Sequence, residues 1–170
     1  MEFFDVVHER RSVRHFTDAS VSHEDIDTIL KAGVAAPSAG NVQPWRFVVV
    51  ESEEARMRLA GALDQTWAAA APISIVVCVD PRPCRGRYGD RGALLYSIQD
   101  SAAATQNMLL ACVALGLASC WVGAFDEDAI RASLGIKKPI TPVAILPIGH
   151  SAQASGKQAR RPLSEVSVWT

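Results

Sequence analysis

From Ser101 through Phe125 the chain carries no charged residue, and a run of that length must be kept from water somewhere. It exceeds the roughly 20 residues that a membrane span requires. Yet it contains Ser101, Thr105, Gln106, Asn107, Gly116 and Ser119, and much of the remainder is alanine. Such a run fits a buried central helix followed by a strand better than a span in lipid, so no membrane partner is expected.

The segments around it read as alternating helices and apolar strands. "FFDVVHER" is a short amphipathic helix. "VSHEDIDTILKAGVAA" is a stronger one: Ser22 caps it, with Asp25 at the capping-box position, and Ile26, Ile29, Leu30, Gly33 and Val34 follow helical spacing. Pro37 stops it, because proline disfavours helical geometry in the residue before it. "RFVVVE" and "ISIVVCV" are β-branched runs that read as buried strands, with a helical "EEARMRLAGAL" between them. "DPRPCRGRYGDRG" reads as a loop by its prolines and glycines. A long helix is expected from about Leu95 to Leu117, then a short strand "SCWVG". "DEDAIRASLG" reads as a helix capped by Asp126 and stopped by Gly135, and "TPVAILPIGH" as a further strand. At 170 residues, with no repeat and no linker, one domain over 1–170 is expected. Helices interspersed with few strands indicate a central sheet flanked by helices, an α+β or α/β layered domain. The last twenty or so residues lack periodicity and hold the basic cluster "KQARRP". That tail cannot bury itself alone, so it is expected to lie along a surface, a partner's included.

A formal net charge of −1 gives no global basic field, which argues against nucleic acid as a partner. Cys78, Cys84, Cys112 and Cys120 form no CxxC pair, and the first residues, "MEFFDVVHERR", lack an apolar leader. Free thiols in a reducing cytoplasm are the reading.

Chemistry is scarce among the side chains. "RRSVR" crowds Arg10, Arg11, Ser12 and Arg14 into one or two turns. Like charges so close either suit the C-terminal dipole of the preceding helix or await an anion; a phosphate matches the planar donor fork of arginine. Arg160 and Arg161 form a second basic pair. There is no GxGxxG after a strand and no GxxxxGK[ST]. His8, His15, His23 and His150 are scattered without metal spacing, GxSxG is absent, and the paired carboxylates sit at helix starts. The lack of an evident acid, base or nucleophile favours a bound cofactor that carries the chemistry. "PSAGNVQPW" lies at a helix-to-strand junction. It is either a plain turn or a place where small residues admit a flat ring while Asn41 and Gln43 offer amide donors and acceptors.

Four pieces in order, "RRSVRHF", "APSAGNVQPWRFVVV", "QDSAAATQNMLLACVALGLASCWVGAF" and "PVAILPIGH" leading to "ARRPLSEV", resemble the FMN-dependent nitroreductase family, in one of its short forms. The resemblance covers essentially the whole chain. It implies an α+β layered sandwich with a mainly antiparallel central sheet, a homodimer whose C-terminal tail extends over the partner, and FMN at the dimer interface. By the same resemblance Arg10, Arg11 and Ser12, with Arg14 close by, would hold the FMN phosphate and one edge of the flavin, and Arg160 or Arg161 would return to the phosphate. Pro37, Ser38 and Ala39 would come from the other subunit, with Asn41 facing the ring. Trp121, Val122 and Gly123 would lie against the flavin. NADH or NADPH would reduce it, and a small organic acceptor such as a nitroaromatic or quinone would reoxidise it in ping-pong order. Relatives that cleave flavin or dehalogenate, or that bind FMN without catalysis, are the alternative. Longer members insert a lid where this chain has "DPRPCRGRYGDRG". There Arg82, Arg85, Arg87 and Arg91 either favour an acidic acceptor or the cofactor's phosphates, or are simply solvated.

Overall fold

A computed structural model describes residues 1–63, 65–153, 156 and 158–170. The most constrained element is the strand β2 (Ile73–Val79), all seven residues of which are buried. With no face toward water, its peptide groups must bond to neighbouring strands. It pairs antiparallel with β1 (Trp45–Val50) on one side and β4 (Thr141–Gly149) on the other, and β3 (Ala118–Ser119) adds beyond β4. The sheet order is β1-β2-β4-β3, with one irregularity in the β2–β4 register between Val77 and Cys78.

Helices cover both faces, and the period of two along β2 and β4 decides which. Ile73, Ile75 and Val77 pack with Ala144, Leu146 and Ile148 against α2 (His23–Val34) and α5 (Ser97–Ala114), including Ile26, Ile29, Met108 and Leu109. Val76, Cys78 and Ile145 face α3 (Glu53–Leu63) and α6 (Glu127–Leu134) through Leu59, Leu63 and Ile130. α2 and α5 approach closely at Gly33, where a Cβ would stand 3.0 Å from Met108 Cγ. This is the layered domain expected from the residues, with the antiparallel sheet that the family resemblance implies. The uncharged run is α5 after its first turn, followed by β3 and the segment to Phe125; among the described residues no helix is long and apolar enough to cross a membrane.

Several local readings hold in detail. α1 is Phe3–Glu9. Ser22 Oγ accepts from the Asp25 N–H, Asp126 accepts from the Ala129 N–H, and Gly135 closes α6 at φ 67°. Four need correction. β1 is not a buried strand: it lies at the edge of the sheet and is partly exposed between its buried ends, Trp45 and Val50. "DPRPCRGRYGDRG" is not a loop: α4 spans Pro81–Arg91, interrupted at Gly89 (φ 61°, ψ −150°). Its prolines sit in the first turn, where a missing N–H has no intrahelical partner to lose, and Asp80 caps it by accepting from the Arg82 N–H. α4 then runs through a wide turn of π type, Gly92–Tyr96, into α5, so the long helix begins at Ser97 rather than Leu95 and ends at Ala114. The short strand is Ala118–Ser119, offset from "SCWVG", although Val122 still exchanges both backbone hydrogen bonds with Ile145 at 2.9 Å.

All four cysteines are buried free thiols. Burial pushes Cys78 and Cys112 up to about 12, so neither is a nucleophile at neutral pH.

Replacing Ile75, which is fully buried, with alanine should lower unfolding free energy by about 2–5 kcal/mol through lost transfer and a residual cavity. The midpoint of urea denaturation, at unchanged slope, measures it.

Candidate functional site

The two ends of the chain meet at the β3 side of the sheet. The Val13 N–H donates to Ser119 O (3.0 Å), the Thr17 N–H to His150 O (2.9 Å) and the Ala152 N–H to His15 O (2.9 Å). These bonds lay residues 12–17 beside β3 and the exit of β4, and they bring "RRSVR" next to the segment leading to the basic tail. A cavity of about 500 Å³ opens between them, lined by Arg10, Arg11, Ser12, Arg14 and Arg160 together with His15, Gln153 and Gln158.

Charge is the defining property of this cavity. Among the described residues no carboxylate pairs with Arg10, Arg11, Arg14 or Arg160. Arg11 turns back on the end of α1, donating to the carbonyls of His8 and Arg10. That contact belongs to the helix-end reading, and it also holds the guanidinium at the cavity wall. Arg161 behaves differently: it donates to the Glu165 carboxylate at 3.1 Å and to its carbonyl at 3.2 Å, and it does not line the cavity. Lys157, also part of the basic cluster, lies outside the described residues.

Arg14 links this cavity to a second cleft of about 160 Å³, formed with Trp67, Cys120, Trp121, Val122 and Gly123. Its guanidinium stands over the Trp67 ring at 5.9 Å, a contact that fixes a cation against an aromatic face. Val122 can offer little here, since its side chain is in the core and both its backbone groups are bonded to Ile145. The N–H groups of Trp121 and Gly123, on either side of it, have no protein partner among the described residues. Trp121 is 39% exposed. Burial raises the Cys120 thiol, with Arg14 and Arg10 acting in the opposite sense.

Pro37, Ser38, Ala39 and Asn41 lie elsewhere. They precede β1, which is the opposite edge of the sheet from β3. Three strand spacings separate those edges, about 14 Å, and none of the four residues lines either cleft. The turn itself is tightly specified. Gly40, Asn41 and Gln43 all adopt positive φ (56°, 58° and 53°), a conformation costing roughly 1–2 kcal/mol for a residue with a Cβ. Local bonds hold it: the Gln43 N–H donates to Ser38 Oγ (3.0 Å), Gln43 Nε2 to Asn41 Oδ1 (3.0 Å) and the Asn41 N–H to Ser38 O (2.9 Å). Two helices clamp it from outside. The Ala39 N–H donates to Asp100 Oδ1 of α5 (3.1 Å), and Arg87 Nη1 of α4 donates to Gly40 O (2.7 Å). A Cβ at Gly40 would come within 2.3 Å of Tyr88 Oη.

Sequence reasoning does not single out His15, Gln153, Gln158 or Trp67. His15 stands inside the basic motif; the glutamines and Trp67 reach the clefts only through long-range pairing and carry no local signal. Asp100 is equally silent. It is buried, its Oδ2 has no partner among the described residues, and burial raises its carboxyl above the ordinary carboxylate range, partly opposed by the Ala39 N–H.

The profile of the nitroreductase family matches residues 7–70 and 60–150. A protein of Archaeoglobus fulgidus, provisionally named NADH dehydrogenase/NAD(P)H nitroreductase, is 37% identical over 156 residues, covering 88% of this chain and 85% of its own. An FMN reductase (NADPH) of Bacillus subtilis is 28% identical over 170 residues, covering 92% of this chain and 68% of its own. Among solved structures, a nitroreductase family protein of Clostridium difficile superposes with a TM-score of 0.89 at 31% identity, over 99% of this chain and 98% of that one.

Because native Asp100 holds its proton more tightly than the unfolded chain does, its contribution to stability falls as pH rises from the ordinary carboxylate range toward its raised value. Asp100→Asn keeps an acceptor for the Ala39 N–H and removes that decline. The melting-temperature difference, variant minus wild type, should therefore grow between about pH 4 and pH 7. A flat difference across that range would contradict the assignment.

Proposed function

The chain belongs to the nitroreductase family, and from that premise we propose that it is an FMN-dependent oxidoreductase that uses NADH or NADPH to reduce a small organic acceptor. One observation carries the reading: four guanidiniums with no carboxylate partner among the described residues surround one cavity, which Arg14 connects to a cleft lined by Trp121 and Gly123. A dianionic phosphate is the anion whose oxygens match such forks, and an FMN reductase stands among the relatives.

In this reading Arg10, Arg11, Arg14 and Arg160 hold the phosphate, with the Ser12 hydroxyl as a further donor. Trp121 flanks the flavin, and the N–H groups of Trp121 and Gly123, which have no partner among the described residues, are available to its polar edge, where fixed donors stabilise negative charge. FMN, when bound, supplies the hydride chemistry, so reductant and acceptor occupy one place in turn, a ping-pong order. The protein needs no nucleophile of its own, in keeping with thiols that burial makes inert.

The Pro37–Asn41 turn reaches the flavin only from a second copy, since its own arginine cavity lies at the far edge of the sheet. A homodimer answers this, and exposed apolar surface supports it. Phe3 and Phe4 on α1 are 64% and 71% exposed, and Val168 and Trp169 of the tail 88% and 91%. An apolar groove of about 330 Å³ runs beside α1, lined by Phe3, Val6, Ala35 and Leu110 among others. A tail laid over the partner would cover surface of this kind.

Anaerobic addition of NADH or NADPH to the FMN-loaded protein should bleach the flavin absorbance within seconds; a colour that persists with both would count against the enzyme. Arg10→Ala and Arg160→Ala should each weaken FMN binding by about 1.5–3 kcal/mol, roughly ten- to hundredfold, with little change in melting temperature. Arg161→Ala, whose native partner is Glu165, should bind FMN as the wild type does. Fluorescence titration of FMN reads all three.

A further inference from the structure

The four arginines of α4 are not equivalent. Arg82 grips Asp80 with Nε at 2.9 Å and Nη2 at 2.7 Å, and Arg85 pairs with Asp90. Those two charges are neutralised in place. Among the described residues Arg87 and Arg91 have no carboxylate partner. Each stands instead on an aromatic ring: Arg87 is 5.6 Å from the centroid of Tyr88 and Arg91 is 5.5 Å from that of Tyr96. The two rings meet edge to face at 5.4 Å. Arg91 Nε also donates to Tyr96 Oη at 3.0 Å, and Arg87 Nη1 to Gly40 O at 2.7 Å. A continuous set of contacts therefore runs from the turn at Gly40 to Arg91, with two cations in it that no carboxylate among the described residues neutralises.

A guanidinium has five N–H donors, so each of these retains most of its capacity after its one protein bond. Attraction to the ring face helps hold each guanidinium in place and lowers the cost of ordering it around a ligand. Tyr88 and Tyr96 add an aromatic wall beside the same cations. Such a set matches a flat molecule that carries a carboxylate, sulfonate or phosphate. It discriminates against a neutral one, for which the forks would stay hydrated and unused.

We propose that Arg87 and Arg91, mounted on the Tyr88–Tyr96 pair, bind the oxyanion of an aromatic redox partner, so that the enzyme prefers anionic to neutral aromatic substrates. The inference rests on the proposed function, in which the Pro37–Asn41 turn faces the flavin, because that turn is what α4 touches. The oxyanion belongs either to the acceptor or to the 2′-phosphate of NADPH, and kinetics separates the two.

The test uses the FMN-loaded protein. Steady-state kcat/KM is measured for 4-nitrobenzoate and for 4-nitrobenzyl alcohol, which differ chiefly in charge, and flavin reduction by NADPH and by NADH is followed by stopped flow without acceptor. The expected result is a preference for nitrobenzoate of roughly three- to tenfold at low salt, shrinking as salt screens it. Arg91→Gln should reduce that ratio about threefold or more, whereas Arg85→Gln, which removes an already paired charge, should leave it unchanged. If the NADPH-to-NADH ratio is the one that falls in Arg91→Gln, the oxyanion is the nucleotide's and the cation pair keeps its role. If neither ratio responds to Arg91→Gln, or if Arg85→Gln lowers a ratio equally, the proposal fails while the oxidoreductase stands. If neither nucleotide reduces the flavin in the wild type, both fall together.

Discussion

Strand β2 has no solvent-facing side, and most of the molecule is arranged to satisfy that constraint. Its peptide groups must bond laterally, so it takes β1 and β4 as neighbours. Its side chains must be covered above and below, so helices occupy both faces of the sheet. A sheet built outward from such a strand has two distant edges. One edge receives the N-terminal segment with its arginines; the other begins with the strained turn before β1. The arginine cavity and the strained turn are thus placed at opposite edges by the way the core is satisfied.

Electrostatics then sorts the arginines. Where a carboxylate lies close in the chain, the charge is neutralised: Arg82 by Asp80, Arg85 by Asp90, Arg161 by Glu165. Arg10, Arg14 and Arg160, which pair with no carboxylate among the described residues, gather around a cavity instead. Concentrating like charges costs free energy in the empty protein, and that cost is relieved on binding an anion. The same sorting within α4 leaves Arg87 and Arg91 as the cations of a second locality, supported by rings rather than by counter-charges.

Local chemistry in the chain is a good guide to elements whose boundaries are set by one or two residues. Ser22, Asp126 and Gly135 mark helix ends through bonds to neighbours three or four residues away, and all three do so in the structure. The same habit misleads at α4. Prolines and glycines read as loop formers there, whereas prolines in a first turn lose no hydrogen bond and Asp80 supplies the cap. Composition does not say which position of a helix a proline occupies; the preceding residues do.

The residues alone determined the layered class, the capped helices, the doubly buried strand β2 and the crowding of Arg10, Arg11 and Arg14, because periodicity, capping and charge density are properties of neighbours along the chain. Tertiary structure decided that Arg160 joins that crowd while Arg161 turns away, that Trp67 backs Arg14, and that Asp100 and Arg87 grip the turn around Gly40. Each of those depends on strand order and on the distance between sheet edges, quantities set by backbone pairing across the whole fold rather than by any local stretch of sequence.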